Sequence, residues 1–190
     1  MTSTCGAGVR LHEALAPLLL LIPCAAPAQQ PNLNNGEVHV LPVQGDVYML
    51  AGAGSNITVQ AGSDGVLIVD TATAPLAPKI LTAIKTVSNR PLRYIINTSF
   101  DPDHTGGNDP LRKAGSTIAG GNVAGDLGAS ASEGAQIIAH DNVMKRMSAP
   151  TGKQAPTPSG AWPTDTFIED DKKLWFDGEG IQIIHLANAH

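Results

Sequence analysis

The twelve residues Asn97–Asn108, NTSFDPDHTGGN, hold two aspartates and a histidine, Asp101, Asp103 and His104, directly before a Gly-Gly pair. Carboxylate oxygen and imidazole nitrogen are donors that divalent cations take from proteins, so the segment has the composition of a metal site. It offers a single histidine, however. Asp101 is also open to a simpler use, because an aspartate before Pro102 initiates turns.

The segment needs elements to position it. From Glu37 to Asp70 short strands alternate with turns: EVHVLPV, VYMLAG, SNITVQAG and the apolar run VLIVD. They read as an antiparallel meander feeding a buried strand. Leu76, Ile80, Leu81, Ile84 and Val87 keep helical spacing and Pro91 blocks continuation, which predicts a helix there. PLRYIINT is a second buried strand, so residues 66–98 form a strand–helix–strand unit whose strands lie parallel. The acidic segment then falls at the carboxyl end of a parallel strand, where α/β sheets place their ligands. Asp70, at the end of VLIVD, falls at the same end.

Farther on, DPLRKAG predicts a short helix, STIAGG and AQIIA short strands, and His140–Met147 a helix with Asp141 near its start. Four prolines and two glycines between Ser148 and Thr164 read as an exposed loop, which could border a site. KLWF, the turn DGEG and IQIIHL predict a hairpin. His140 reads as a helix N-terminus residue, His39 and His185 as strand packing, and Glu169-Asp170-Asp171 as a solvated turn.

A chain of 190 residues with 42% apolar content fits one domain. Its net charge of −5 and 4% aromatic content argue against a nucleic-acid partner. Residues 1–28 read as a signal peptide, with Arg10 ahead of the apolar run LAPLLLLIP and Ala26-Pro27-Ala28 as the cleavage site. The run is too short for a membrane span, and the expected destination is periplasmic or secreted with no stable membrane anchor. Both cysteines, Cys5 and Cys24, lie in this leader. Residues 29–190 therefore have no thiol to act as ligand or nucleophile.

The order of elements, with NT-x-x-x-x-DHTGGN after the second parallel strand and IIAHDNVMKRM after that, resembles the metallo-β-lactamase fold superfamily. The resemblance runs from about Val38 to His190. It implies an α/β fold, an αββα sandwich of which this chain carries the N-terminal portion, and a metal site built on His-x-His-x-Asp-His. Here Ser99 and Asp101 stand where the family has its first two histidines. The first metal position would then draw on Ser99, Asp101 and His190, and the second on Asp103 and His104, with further family ligands beyond residue 190. The resemblance implies one or two divalent ions, zinc by family habit and Mn or Fe by the donors. It makes Asp103 the catalytic residue that orients the attacking hydroxide and His104 its co-ligand. Asp70 would fix an imidazole from behind, or else cap a turn.

These expectations describe an exported metal-dependent hydrolase acting on an ester, thioester, lactam or similar bond. The ending at His190 is read as a truncation at a metal ligand, which predicts exposed apolar surface and poor solubility. Two other readings remain open: a non-catalytic module that has lost its metal, and a fragment without function.

Overall fold

A computed structural model describes residues 37–52, 54–117, 134–150 and 156–187. Residues 1–28, expected to be a signal peptide, His190 and the STIAGG stretch beyond Thr117 lie outside the described residues.

The first four segments form β1 (His39–Gln44), β2 (Val47–Ala51), β3 (Ile57–Ala61) and the apolar β4 (Val66–Val69). They pair as the expected antiparallel meander. Helix α1 (Ala77–Val87) follows and buries Ala77, Ile80, Ala83 and Ile84. The chain returns in β5 (Leu92–Ile96), parallel to β4. Next come two short helices, α2 (Pro102–Thr105) and α3 (Asn108–Ala114), then β6 (Gln136–His140) parallel to β5, and α4 (Asp141–Ser148). Strand β7 (Asp165–Phe167), which no local pattern announces, adds to β6 in parallel and completes a seven-stranded sheet in the order β1 to β7.

The hairpin forms a separate sheet, β8 (Asp171–Phe176) against β9 (Glu179–Ile184). Asp177 and Gly178 both have left-handed φ, 53° and 79°, the backbone an Asp-Gly turn supplies. Strand alternation divides the core between the faces of the large sheet. Val66, Ile68, Leu92, Ile95 and Ile137 pack with α1 and Leu111 of α3 on one face. Leu67, Ile96 and Ile138 pack on the other with Phe167 and with Phe176, Leu174, Ile181 and Ile183 of the hairpin. Each fully buried Ile or Leu contributes roughly 2 kcal/mol. The described residues thus form helix, sheet and hairpin layers of a mixed α/β fold.

The Ser148–Thr164 stretch departs from a simple exposed loop. Residues 158–160 are exposed, but Ala161 and Pro163 are buried and Trp162 donates its indole N–H to the Thr157 carbonyl at 2.7 Å. Its end turns inward because Asn108 donates to the Ala161 carbonyl at 2.8 Å, drawing that backbone against α3.

Candidate active site

The loops leaving β4 and β5 meet at the carboxyl end of the parallel strands. After β4, Asp70 and Ala72 both take left-handed φ, 66° and 51°, which costs on the order of 1 kcal/mol each for residues other than glycine. Between them Thr71 aims its backbone N–H and its hydroxyl at the His104 carbonyl, both at 2.9 Å. Gly107 donates its N–H to the Ala72 carbonyl at 2.9 Å. This close approach explains the Gly-Gly pair: a Cβ on Gly107 would overlap the Thr71 carbonyl, and one on Gly106 would sit 2.5 Å from the Pro102 carbonyl.

Beneath the loop lies a buried amide pair. Asn108 donates to the Asn97 carbonyl oxygen at 2.8 Å, and Asn97 returns a bond to the Asn108 oxygen at 3.1 Å. The Thr71 hydroxyl also reaches that oxygen, at 3.0 Å. Asn97 and Asn108 are almost completely buried, and the network ties the end of β5, the loop after β4 and the start of α3 to one another.

Above this frame stands His104. Its Nδ1 lies 2.8 Å from Asp70 Oδ2, so Nδ1–H donates to the carboxylate and Nε2 keeps its lone pair in the neutral ring. Asp70 also accepts from the Thr98 N–H at 2.8 Å and the Thr98 hydroxyl at 2.6 Å. Its side chain is 7% exposed, whereas that of Asp103 is 58% exposed. Asp103 Oδ2 lies 3.7 Å from His104 Nε2, on the far side of the ring from Asp70. Burial by itself would lower the His104 pKa, but the Asp70 hydrogen bond and the charges of Asp70, Asp103 and Asp101 outweigh it and the pKa is raised.

Ser99 and Asp101 are placed differently. The Ser99 hydroxyl donates to Asp101 Oδ2, while the Asp101 backbone serves as N-cap of α2, its carbonyl accepting from His104 N and Thr105 N at 2.9 and 3.0 Å. His104 and Asp103 suit a divalent cation by donor chemistry, one imidazole nitrogen free and one exposed carboxylate beside it. Among the described residues no three His, Cys, Asp or Glu side chains converge. His190 lies outside the described residues.

Three contributors were not singled out from the sequence. Thr98 locks Asp70, Ser55 donates its hydroxyl to the Asp103 carbonyl at 2.7 Å, and Asn108 closes the amide pair. Asn97 and Asn108 bound the segment that was singled out, which was their only signal. Ser55 lies 48 positions upstream and had none.

The sequence matches the metallo-beta-lactamase superfamily over residues 50–187. No curated protein matches the chain. Among solved structures, BJP-1, a subclass B3 metallo-beta-lactamase of Bradyrhizobium japonicum, superposes with a TM-score of 0.57 at 16% identity, over 78% of this chain and 52% of that one. A metallo-beta-lactamase of Cronobacter sakazakii described by a HARLDQ motif gives 0.54 at 19% identity, over 75% and 50%. A double mutant of the sec-alkyl sulfatase PisA1 gives 0.54 at 15% identity, over 76% and 27%. At these identities the likeness is one of fold. The chain spans about half the length of the two lactamases. With the matched span covering most of the chain, and the large sheet and parallel β4–α1–β5 unit in place, the chain belongs to the metallo-beta-lactamase superfamily.

Proposed function

We propose that this chain belongs to an exported, metal-dependent hydrolase that cleaves an ester, thioester, lactam or similar bond of a small molecule. One observation carries the reading: His104 is held through Nδ1 by buried Asp70 while Nε2 faces exposed Asp103. A carboxylate behind the ring is what a ligating histidine needs to fix its tautomer and orientation. His104 through Nε2 and Asp103 through its carboxylate would hold the ion, and Asp101, Ser99 and His190 are the further donors the family pattern offers. Bound there, a divalent ion supplies an activated water nucleophile near neutral pH and a Lewis acid for the scissile carbonyl or phosphoryl oxygen. The chain's own work is positional. Asp70 and Thr98 keep the imidazole still, the Asn97–Asn108 pair keeps the loop still, and Asp103 orients the attacking water. Superfamily membership supports hydrolysis in general, and the signal-like leader supports export.

The Ser99–Asp101 hydrogen bond favours a second reading, a non-catalytic member whose first metal position has closed on itself. Metal titration separates the two. The purified protein is offered zinc and manganese in turn at neutral pH, with a chromophoric chelator as competitor. Micromolar or tighter binding that disappears in His104→Ala, together with turnover of a chromogenic ester or lactam, is the expected result. Failure to compete with the chelator for either ion sinks the hydrolase and leaves the binding module.

A further inference from the structure

Helix α2 makes one turn and stops, and the way it stops decides what holds Asp103. Within the turn, the Asp101 carbonyl accepts from His104 N and Thr105 N, and the Pro102 carbonyl accepts from Gly106 N at 2.9 Å. The next donor in line, the Gly107 N–H, turns away to the Ala72 carbonyl at 2.9 Å. The Asp103 carbonyl thereby loses its helical donor and needs one from elsewhere. It takes the hydroxyl of Ser55, 48 residues upstream, at 2.7 Å. The sheet puts Ser55 within reach. Antiparallel pairing sets Thr58 of β3 beside Val69, the last residue of β4, so the turn from β2 into β3 stands at the carboxyl end of β4, where the site is. Gly54, at φ 89°, bends the chain just before Ser55.

His104 is fixed at both ends, its carbonyl by Thr71 and its ring by Asp70. Asp103 is not. Its side chain is 58% exposed, and its ionic neighbour among the described residues is His104 Nε2 at 3.7 Å. We infer that Ser55 is a positioning residue: by holding the Asp103 backbone it sets where the exposed carboxylate stands beside His104 Nε2, and so how tightly the pair takes a divalent cation. This rests on the reading of His104 and Asp103 as metal donors. A carboxylate already in place needs no ordering when the ion arrives, whereas one on a loose backbone does. The hydroxyl acts through the backbone alone.

The test is competition for zinc against a chromophoric chelator at neutral pH, with NMR of the metal-free protein alongside. Ser55→Ala is expected to weaken zinc binding roughly tenfold, the low end of what partners behind metal ligands contribute, and Ser55→Thr, which keeps the hydroxyl, to restore it. In metal-free Ser55→Ala the nuclear Overhauser contacts between the Asp103 β-protons and the His104 ring should weaken, while the urea midpoint stays within the error of measurement. Zinc affinity unchanged in Ser55→Ala, unchanged Overhauser contacts, or a loss that Ser55→Thr leaves in place overturns the assignment. A urea midpoint that falls in step makes the hydroxyl a part of the general fold and overturns it too. If the unsubstituted protein takes no zinc, the parent hydrolase reading falls, and the Overhauser contacts of the metal-free variant still decide whether Ser55 positions Asp103.

Discussion

His104 has two ring nitrogens in different surroundings, and its titration tests that arrangement. Its pKa in the fold is raised because the hydrogen bond it donates to Asp70 and the neighbouring carboxylate charges overcome the effect of burial. A group whose folded pKa lies above its unfolded value, ordinarily near 6.5, adds stability that is fully present below about pH 6.5 and is lost as pH rises through the folded pKa. Metal-free protein should therefore show a Tm contribution that declines as pH climbs through the raised value, and NMR of the ring should titrate above the ordinary range. Asp70→Asn should bring the His104 titration down and flatten that part of the Tm profile. An unchanged titration in this variant would mean that the buried carboxylate does not control the ring. Protons compete with a cation at Nε2, so zinc affinity should weaken as pH falls below the same raised value.

At the scale of elements, the loop is held by the amides under it as much as by its own hydrogen bonds. Asn108→Ala would leave the Asn97 side-chain oxygen and the Ala161 carbonyl without a partner, while the Thr71 hydroxyl keeps the His104 carbonyl. Each unsatisfied group costs roughly 1–3 kcal/mol, so a loss of about 3 kcal/mol in urea unfolding is expected. A loss below about 1 kcal/mol would show that water replaces the amide freely. Helix α4 offers a milder case. His140 caps it by accepting from Asn142 N at 3.2 Å, stacks face to face on His185 at 3.6 Å and meets the Phe167 ring edge-on at 5.3 Å. His140→Ala should cost about 1 kcal/mol from the cap alone, and His140→Asn, which restores a capping oxygen, should recover most of it.

The amino-acid sequence encodes these elements legibly only where a local pattern settles them. The β4–α1–β5 unit was legible because Ile80, Ile84 and Val87 keep helical spacing between two apolar runs, and the hairpin because Asp177-Gly178 states its turn. Strand β7 was not, since three residues behind a proline-rich stretch carry no periodicity. His140 was legible as a helix start, but its partner His185 lies on another element and nothing local announces the stack. The DHTGGN segment pointed to the site, whereas the way Ser99 and Asp101 satisfy each other depends on side-chain placement that spacing does not encode.

For the whole molecule, the decisive surface is the outer face of the β8–β9 hairpin. Register places Trp175 opposite Gly180, Lys173 opposite Gln182 and Asp171 opposite Ile184, all on the face turned away from the Phe176 core. Trp175 is 73% exposed and Ile184 59% exposed, and Ile168 and Leu186, adjoining the hairpin, are also open. In the described residues β8 pairs with β9 alone, so the small sheet has open edges next to this apolar face. Such a combination promotes association through edge pairing and burial of the exposed rings and methyl groups. Because the inner face supplies the core contacts, the outer side chains contribute little to folding and can be exchanged for charges. Light scattering of this chain should rise with protein concentration, and Trp175→Lys with Ile184→Lys should suppress that rise while leaving the urea midpoint within the error of measurement. The Trp175 indole should also be freely quenched by acrylamide in dilute samples and protected in concentrated ones. Scattering unaffected by the double substitution would place the sticky surface elsewhere, and a large fall in the urea midpoint would show that the outer face is part of the core after all.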